Sequence, residues 1–298
     1  MKITLQDIIQ NKKREIGRKQ RRFDKVQGLS TLLHDVRQPY KYPQGTLSSS
    51  LNEHRPPNFF SSYIQLAGRR SVHAQMDKPF TSKQNLEDIA LIAEIKIASP
   101  TSGRLGNLAD VKEKVSSYEL GGADSLSVVV DKKYFGGSFA LLQKVRSFSQ
   151  LPILSKDFVI DKYQVYEAKF HGADAVLLIA KIVSQDKLKM LVKLVRELEM
   201  EPVVEVNSLE ELRRVLRVNT RIIAVNARNL DDFSLDLDKA CRILKRIPQN
   251  MVALAFSGVS SRNEIVKYKD AGAKGVLVGT TLMKSKDPAK VIKELKGL

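Results

Sequence analysis

The chain has 298 residues, enough for one large domain or two ordinary ones with a substantial core. It is 43% hydrophobic with no tryptophan, and its lone cysteine, Cys241, excludes an internal disulfide and fits a reducing, cytoplasmic setting. The formal charge of +17 admits nucleic acid, an anionic small molecule or a solvated basic surface, while no apolar run approaches the ~18 residues of a membrane span.

The N-terminus, MKITLQDIIQNKKREIGRKQRR, has no apolar stretch followed by a small-residue cleavage site, so it does not read as a secretory signal. Leu5, Ile8, Ile9 and Ile16 keep helical spacing, and the basic cluster from Lys12 to Lys25 reads as the solvated side of that amphipathic helix. The cluster lacks the interleaved aromatics of a base-stacking platform. Steering of an anionic small molecule is therefore favoured over nucleic-acid binding. Residues 28–86 hold Pro39, Pro43, Pro56, Pro57 and Pro79 and a Ser48-Ser49-Ser50 run, and read as loop-rich.

From Ala90 onward the pattern becomes regular. Apolar, strand-like runs occur at 91–95, 125–130, 152–154, 175–179, 202–206, 222–225, 252–256 and 275–278. Helical patterns fill the gaps at 109–120, 139–148, 162–171, 185–199, 209–216, 235–247, 262–271 and 288–295. Gly122, Gly172 and Gly272 each precede a strand and read as helix C-caps. Cys241 falls inside a helical stretch and reads as a small buried hydrophobe rather than a nucleophile. Eight such units predict an α/β chain with a closed (β/α)8 TIM barrel and an N-terminal helical extension. The expected division is an extension over 1–87, covering the barrel, and a catalytic barrel over 88–298. No G-x-G-x-x-G follows the first strand, against a dinucleotide fold.

In such a barrel the site forms where the strands end. The first strand delivers Glu94 and Lys96, two residues apart and so on one face. A buried acid and base are costly unless paired or functional, and an internal salt bridge is the plainer reading. The third strand ends at Lys156, the fifth at Glu205, and the sixth at Asn226 and Arg228. Singly, each has a dull explanation: Lys156 and Asp157 as a surface pair, Glu205 as a helix cap. Together they describe one polar pocket. The seventh and eighth strands end in Ser257-Gly258 and Gly279-Thr280, small-residue turns suited to backbone contact with a phosphate.

The stretches LIAEIKIASPTSG, VVVDKKYFGGS, PILSKDFVIDKYQVYEAKFHGADAVLLIA, VVEVNSLEELRRVL, IIAVNARNL and VLVGTTLM resemble the indole-3-glycerol-phosphate synthase family from about residue 88 to 295. LQDIIQNKKREI resembles its N-terminal helix. The resemblance implies a carbon–carbon lyase of tryptophan biosynthesis that needs no metal or organic cofactor. It would close the ring of 1-(2-carboxyphenylamino)-1-deoxyribulose 5-phosphate with loss of carbon dioxide and water. It further implies Lys156 as the acid of ring closure, with Glu94, Lys96 and Glu205 sharing the remaining proton transfers. Asn226 and Ser257 would complete the catalytic set, Asn226 near the carboxylate or hydroxyls and Ser257 near the phosphate, while Arg228 and Ser99 would contact the substrate's polar groups. Gly258, Gly279 and Thr280 would hold its phosphate, and Phe135 and Phe158 its aromatic ring. The resemblance also allows association with other tryptophan-pathway enzymes.

Three departures from the family pattern stand out. Phe256 occupies the place of a glutamate before Ser257-Gly258; losing a carboxylate there should loosen the hold on nearby lysine protons, and the ring should partly fill the pocket. Thr280 stands where Ser or Glu is more usual. Residues 28–86 are longer and less regular than the usual linker, which bears on any lid behaviour. Two other readings stay open on the sequence: another phosphate-binding barrel enzyme, such as a sugar-phosphate isomerase, and a catalytically silent barrel retained as a binding protein.

Overall fold

The computed structural model describes residues 3–24 and 89–298, with side chains in the first segment to Lys19. The irregular stretch expected over 28–86 and the 87/88 boundary lie outside the described residues. The first segment is a single helix, α1 (Leu5–Asp24). Leu5, Ile8 and Ile16 are buried and Ile9 packs beside them, as their spacing predicts.

Eight parallel strands then close into a barrel: β1 (Ala90–Ile95), β4 (Ser125–Val129), β5 (Ile153–Lys156), β6 (Ala175–Ile179), β7 (Glu201–Val206), β8 (Ile222–Asn226), β9 (Val252–Phe256) and β10 (Gly275–Val278). β10 pairs with β1 and β1 with β4, so the sheet has no edge. A two-stranded hairpin, β2 (Ala98–Ser99) and β3 (Gly103–Arg104), follows β1 at the barrel mouth. The outer helices are α2 (Val111–Leu120), α4 (Phe139–Arg146), α5 (Lys162–Phe170), α6 (Gln185–Glu197), α7 (Leu209–Val215), α8 (Leu237–Leu244), α9 (Arg262–Asp270) and α11 (Pro288–Lys296). Two short helices, α3 (Lys132–Phe135) and α10 (Thr280–Lys284), are too brief for periodicity to reveal.

Strand parity sorts each side chain into one of two cores. Leu91, Ala93 and Ile95 pack between strands and helices, whereas Ala90 and Ile92 fill the barrel interior. The same alternation puts Leu154, Val203, Ala224, Leu254 and Leu277 inside. Each buried aliphatic side chain contributes roughly 1.5–3 kcal/mol, so the interior layer fixes the register of every strand. Two residues beyond each interior side chain, the inward position comes up again at the strand end. Those positions are Glu94, Lys156, Glu205, Asn226, Phe256 and Gly279. Four of these six are polar, so Glu94, Lys156, Glu205 and Asn226 give the top layer of the barrel a polar character that the aliphatic layer below lacks.

The helices start where hydroxyl or carboxylate side chains cap their first turn. Ser138, Asp161, Ser184, Ser208, Asp236, Ser261 and Asp287 each accept a backbone N–H. Gly122, Gly172 and Gly272 take left-handed φ of 87°, 87° and 100°, turning the chain into the next strand as expected. Asp124 and Asp174, two residues on, accept the N–H groups of Leu91 and Ile153 at 2.7 and 2.8 Å. They pin the strand starts and leave the opposite end free for chemistry.

Candidate active site

A cavity of about 320 Å³ opens at the C-terminal ends of the strands. Glu94, Lys96, Ser99, Phe135, Lys156, Phe158, Glu205, Asn226, Arg228, Ser257, Gly258, Gly279 and Thr280 all line it, so the structure brings together every site residue named from the sequence. The volume suits one small organic phosphate. A separate cleft of about 440 Å³ lies beside Ile95, Asp110, Lys114 and Met283. Its charged groups are engaged locally, Lys114 with the Ser285 carbonyl and Arg104 with Asn107, and it offers no converging acid–base set.

Glu94 is the hub. Its two oxygens each hold one ammonium: Lys96 Nζ at 2.8 Å and Lys156 Nζ at 2.7 Å. The carboxylate is buried, while Lys96 and Lys156 are partly open to the cavity. Burial alone would raise the Glu94 pKa, but Lys156 and Lys96 outweigh it and hold the carboxyl down at about 2. Burial likewise works to deprotonate Lys156. Glu94 and then Glu205 overcome that and hold its ammonium above the usual lysine range. The internal salt bridge expected for Glu94 and Lys96 is therefore present, and it lines the cavity. The alternative surface pair is not formed: Asp157 is buried and its carboxylate engages Lys12 and Gln164.

Glu205 is tuned in the opposite direction. It is buried at the end of β7, and that burial raises its pKa despite Lys156 nearby. Asn226 Nδ2 donates to one oxygen at 3.1 Å, whereas the other, Oε2, has no hydrogen-bond partner. It caps no helix; Ser208 caps the one that follows. Asn226 Oδ1 in turn accepts the Arg228 N–H at 3.0 Å, and the Arg228 guanidinium donates to the Phe233 carbonyl at 2.8 Å. Two carboxylates pushed apart in this way, one firmly ionised and one poised, form the usual pattern of an electrostatic holder beside a proton carrier.

The other wall is backbone. Ser257 and Gly258 both have positive φ, 69° and 80°, and Tyr268 Oη donates to the Ser257 carbonyl at 2.9 Å to hold the turn. A left-handed φ at a non-glycine residue costs roughly 1–2 kcal/mol, a strain kept where geometry is over-determined. At Gly279 a Cβ would stand 2.3 Å from Glu94 Oε1, so any side chain there would displace the hub. Lys96 Nζ donates to Thr280 Oγ1 at 3.3 Å, which links the Glu94 cluster to this turn. Phe135 and Phe158 lie 6.1 Å apart, ring centre to ring centre, and with Leu230 and Phe233 form an apolar side to the cavity. Leu230 and Phe233, on the loop after β8, carry no sequence signal that sets them apart.

Phe256 corrects two expectations. It is fully buried in the interior cluster beneath the cavity and is not among the residues that line it, so it does not fill the substrate space. Nor does its presence leave Lys156 weakly protonated, because Glu94 supplies the dominant attraction. The Lys156 ammonium sits 5.5 Å from the Phe256 ring centre, within cation–π range. Phe256→Glu is accordingly expected to lower stability by roughly 3 kcal/mol or more, through lost packing and a buried charge, with no gain in turnover. Thermal unfolding together with kcat measures both; a faster and equally stable variant would show that Phe256 is a lesion.

Lys12 is a third correction. The sequence places it on the solvated face of α1, yet it is buried and ion-paired with Asp131 and Asp157. Cys241 is buried as expected, and burial pushes its thiol pKa up. Among the described residues no group of three or more His, Cys, Asp or Glu is placed to hold a metal ion, and no helix is long and apolar enough to cross a membrane.

A family model described as indole-3-glycerol phosphate synthase matches residues 51–295. The match begins ahead of the barrel, so residues 51–87 carry family pattern that the sequence reading above did not pick up. Curated proteins named indole-3-glycerol phosphate synthase are similar over most of the chain. That of Leuconostoc mesenteroides is 36% identical over 77% of this chain and 89% of its own length. That of Mycolicibacterium gilvum is 42% identical over 70% and 76%, and that of Bacillus mycoides 39% over 76% and 87%. Among solved structures, a 3-hexulose-6-phosphate synthase superposes with a TM-score of 0.56 at 16% identity, covering 70% of this chain and 99% of that one. A chain of the tryptophan synthase complex from Pyrococcus furiosus gives 0.55 at 18%, covering 71% and 99%. At that identity both likenesses show the barrel fold alone.

Proposed function

The chain belongs to the indole-3-glycerol phosphate synthase family, and from that premise we propose how its own residues divide the reaction. The enzyme is a carboxy-lyase of tryptophan biosynthesis acting on a small phosphorylated substrate, 1-(2-carboxyphenylamino)-1-deoxyribulose 5-phosphate. In the first step the carboxyl-bearing aromatic carbon attacks the substrate's ketone carbon. The carbonyl oxygen gains negative charge and must receive a proton. Lys156 is our assignment for that acid: its ammonium faces the cavity and is kept protonated by Glu94 at 2.7 Å.

Carbon dioxide then leaves from the attacking carbon, and its bonding electrons return aromaticity to the six-membered ring. Water departs last. One proton must be added to the leaving hydroxyl and one removed from the adjacent carbon beside the nitrogen. Glu205 suits the removal, because its pKa is raised and its Oε2 is unpartnered. Lys96, held by Glu94 beside Thr280, suits the donation. Gly258, Gly279 and Thr280 are our phosphate turn, with Lys96 and Ser257 beside it. Phe135 and Phe158 flank the anthranilate ring, while Asn226, Arg228 and Ser99 meet its carboxylate and the hydroxyls. The division into an extension over 1–87 and a barrel over 88–298 belongs to the same proposal, supported by the packing of α1 on the barrel mouth.

The observation that carries this reading is one carboxylate holding two ammonium groups across a cavity from a second carboxylate of opposite tuning. Incubating the chain with the anthranilate-derived substrate should yield one carbon dioxide per indole product, followed by fluorescence. Isomerisation of a simple ketose phosphate with no indole product would instead support the other phosphate-barrel activity.

A further inference from the structure

The helix outside the barrel reaches toward the site through one buried ammonium. Lys12 Nζ lies 2.8 Å from Asp157 Oδ1 and 3.0 Å from Asp131 Oδ2, with Glu15 Oε2 at 3.4 Å. The side chains of Lys12, Asp131 and Asp157 are 3%, 0% and 3% exposed. An exposed pair would be worth little. Here the cation separates two sealed carboxylates, and removing it would leave like charges facing each other in a low dielectric.

Each aspartate divides its carboxylate between Lys12 and its own loop. Asp157 Oδ1 also accepts the Phe158 N–H at 2.9 Å, and Oδ2 accepts Gln164 Nε2 at 2.9 Å. Asp131 Oδ1 accepts the Tyr134 N–H at 2.8 Å, starting the short helix that ends at Phe135. Lys12 thus ties together the loops after β4 and β5, two neighbouring strands, where they deliver Phe135, Lys156 and Phe158. Tyr134 Oη donates to the Asp7 carbonyl at 3.1 Å, a second tie from α1 to the same loop.

We infer that Lys12 is a positioning residue for the synthase reaction: through Asp157 and Asp131 it fixes the strand-end segment bearing Lys156 and the two rings against the substrate. Lys12 itself does not line the cavity. The inference rests on the activity stated above. Its lever is geometric, since a displacement of about 1 Å at a reacting group can cost about 100-fold in rate.

The test compares kcat, KM and Tm for the full chain, Lys12→Met, and Lys12→Met combined with Asp131→Asn. The double variant removes one of the two carboxylates that the single variant orphans, which relieves their repulsion. The expected result is a kcat lowered ~10- to 100-fold in both variants, even where the double variant regains Tm. kcat should fall further than KM rises, because the Ser257-Gly258 turn lies across the barrel from β5 in the strand order and still anchors the phosphate when the rings loosen. Recovery of kcat together with Tm in the double variant would make Lys12 structural only and overturn the inference. A double variant that cannot fold would overturn it too, by making the cluster a folding element. Absence of turnover in the unaltered chain would remove the activity assignment itself, a separately visible failure.

Discussion

Lys156→Ala is expected to lower kcat by ~10³-fold or more while the chain still folds and still binds its phosphorylated substrate. The lysine lies at the end of β5 with its ammonium partly open to the cavity, so truncation leaves no sealed void of the kind that unfolds a barrel. What is lost is the proton and the positive charge facing the developing oxyanion. The phosphate turn after β9 and β10 is untouched, and KM should move far less than kcat. Lys193→Ala, an exposed change on the outer helix α6, is the control and should be silent. A Lys156→Ala enzyme with near-normal turnover would remove this residue from the chemistry and pass the acid role to Lys96.

Glu94→Gln should be nearly as damaging, by ~10²-fold or more in kcat, although glutamine has almost the same shape. The glycine at 279 leaves the side chain its place, so packing survives the change. The charge does not. Two ammonium groups that shared one carboxylate would then repel each other across a neutral amide, and burial would act on Lys156 with only Glu205 opposing it. Because both lysines are partly open to the cavity, part of that repulsion can be relieved toward water, and Tm should fall much less than kcat. A variant within about threefold of the original would mean that the carboxylate only fills space.

The barrel was legible because buried parallel strands are written as apolar runs, and helix ends as glycine followed by an acid or base. The polar pocket was legible for a related reason: Glu94, Lys156, Glu205 and Asn226 each interrupt such a run at its final inward position. Lys12 was misread, yet its signal was present. It stands four residues after Ile8 and four before Ile16, on the buried face of the same helix, where a solvated lysine does not belong. Its partners could not be read, since nothing local says that Asp131 and Asp157, on different loops, converge. Phe256, which the resemblance marks as a departure, was wrongly given a consequence. The family pattern names the missing carboxylate, whereas only packing shows that the ring lies under the floor and that Glu94 already secures the lysines. The short helices α3 and α10 span four and five residues, less than the periodicity needs.

The central claim is that Glu94 keeps Lys156 as a protonated acid, and the pH dependence of kcat/KM tests it most directly. The active form is the ammonium, so the rate is lost only as pH rises through the Lys156 pKa, which Glu94 holds above the ordinary lysine value of about 10.4. The unaltered enzyme should therefore show no fall from this group between about pH 8 and pH 10. In Glu94→Gln, with burial less opposed, the basic limb should move to lower pH than in the unaltered enzyme. A basic limb at the same pH in both enzymes would contradict the account, because the titrating acid would then be one that Glu94 does not hold.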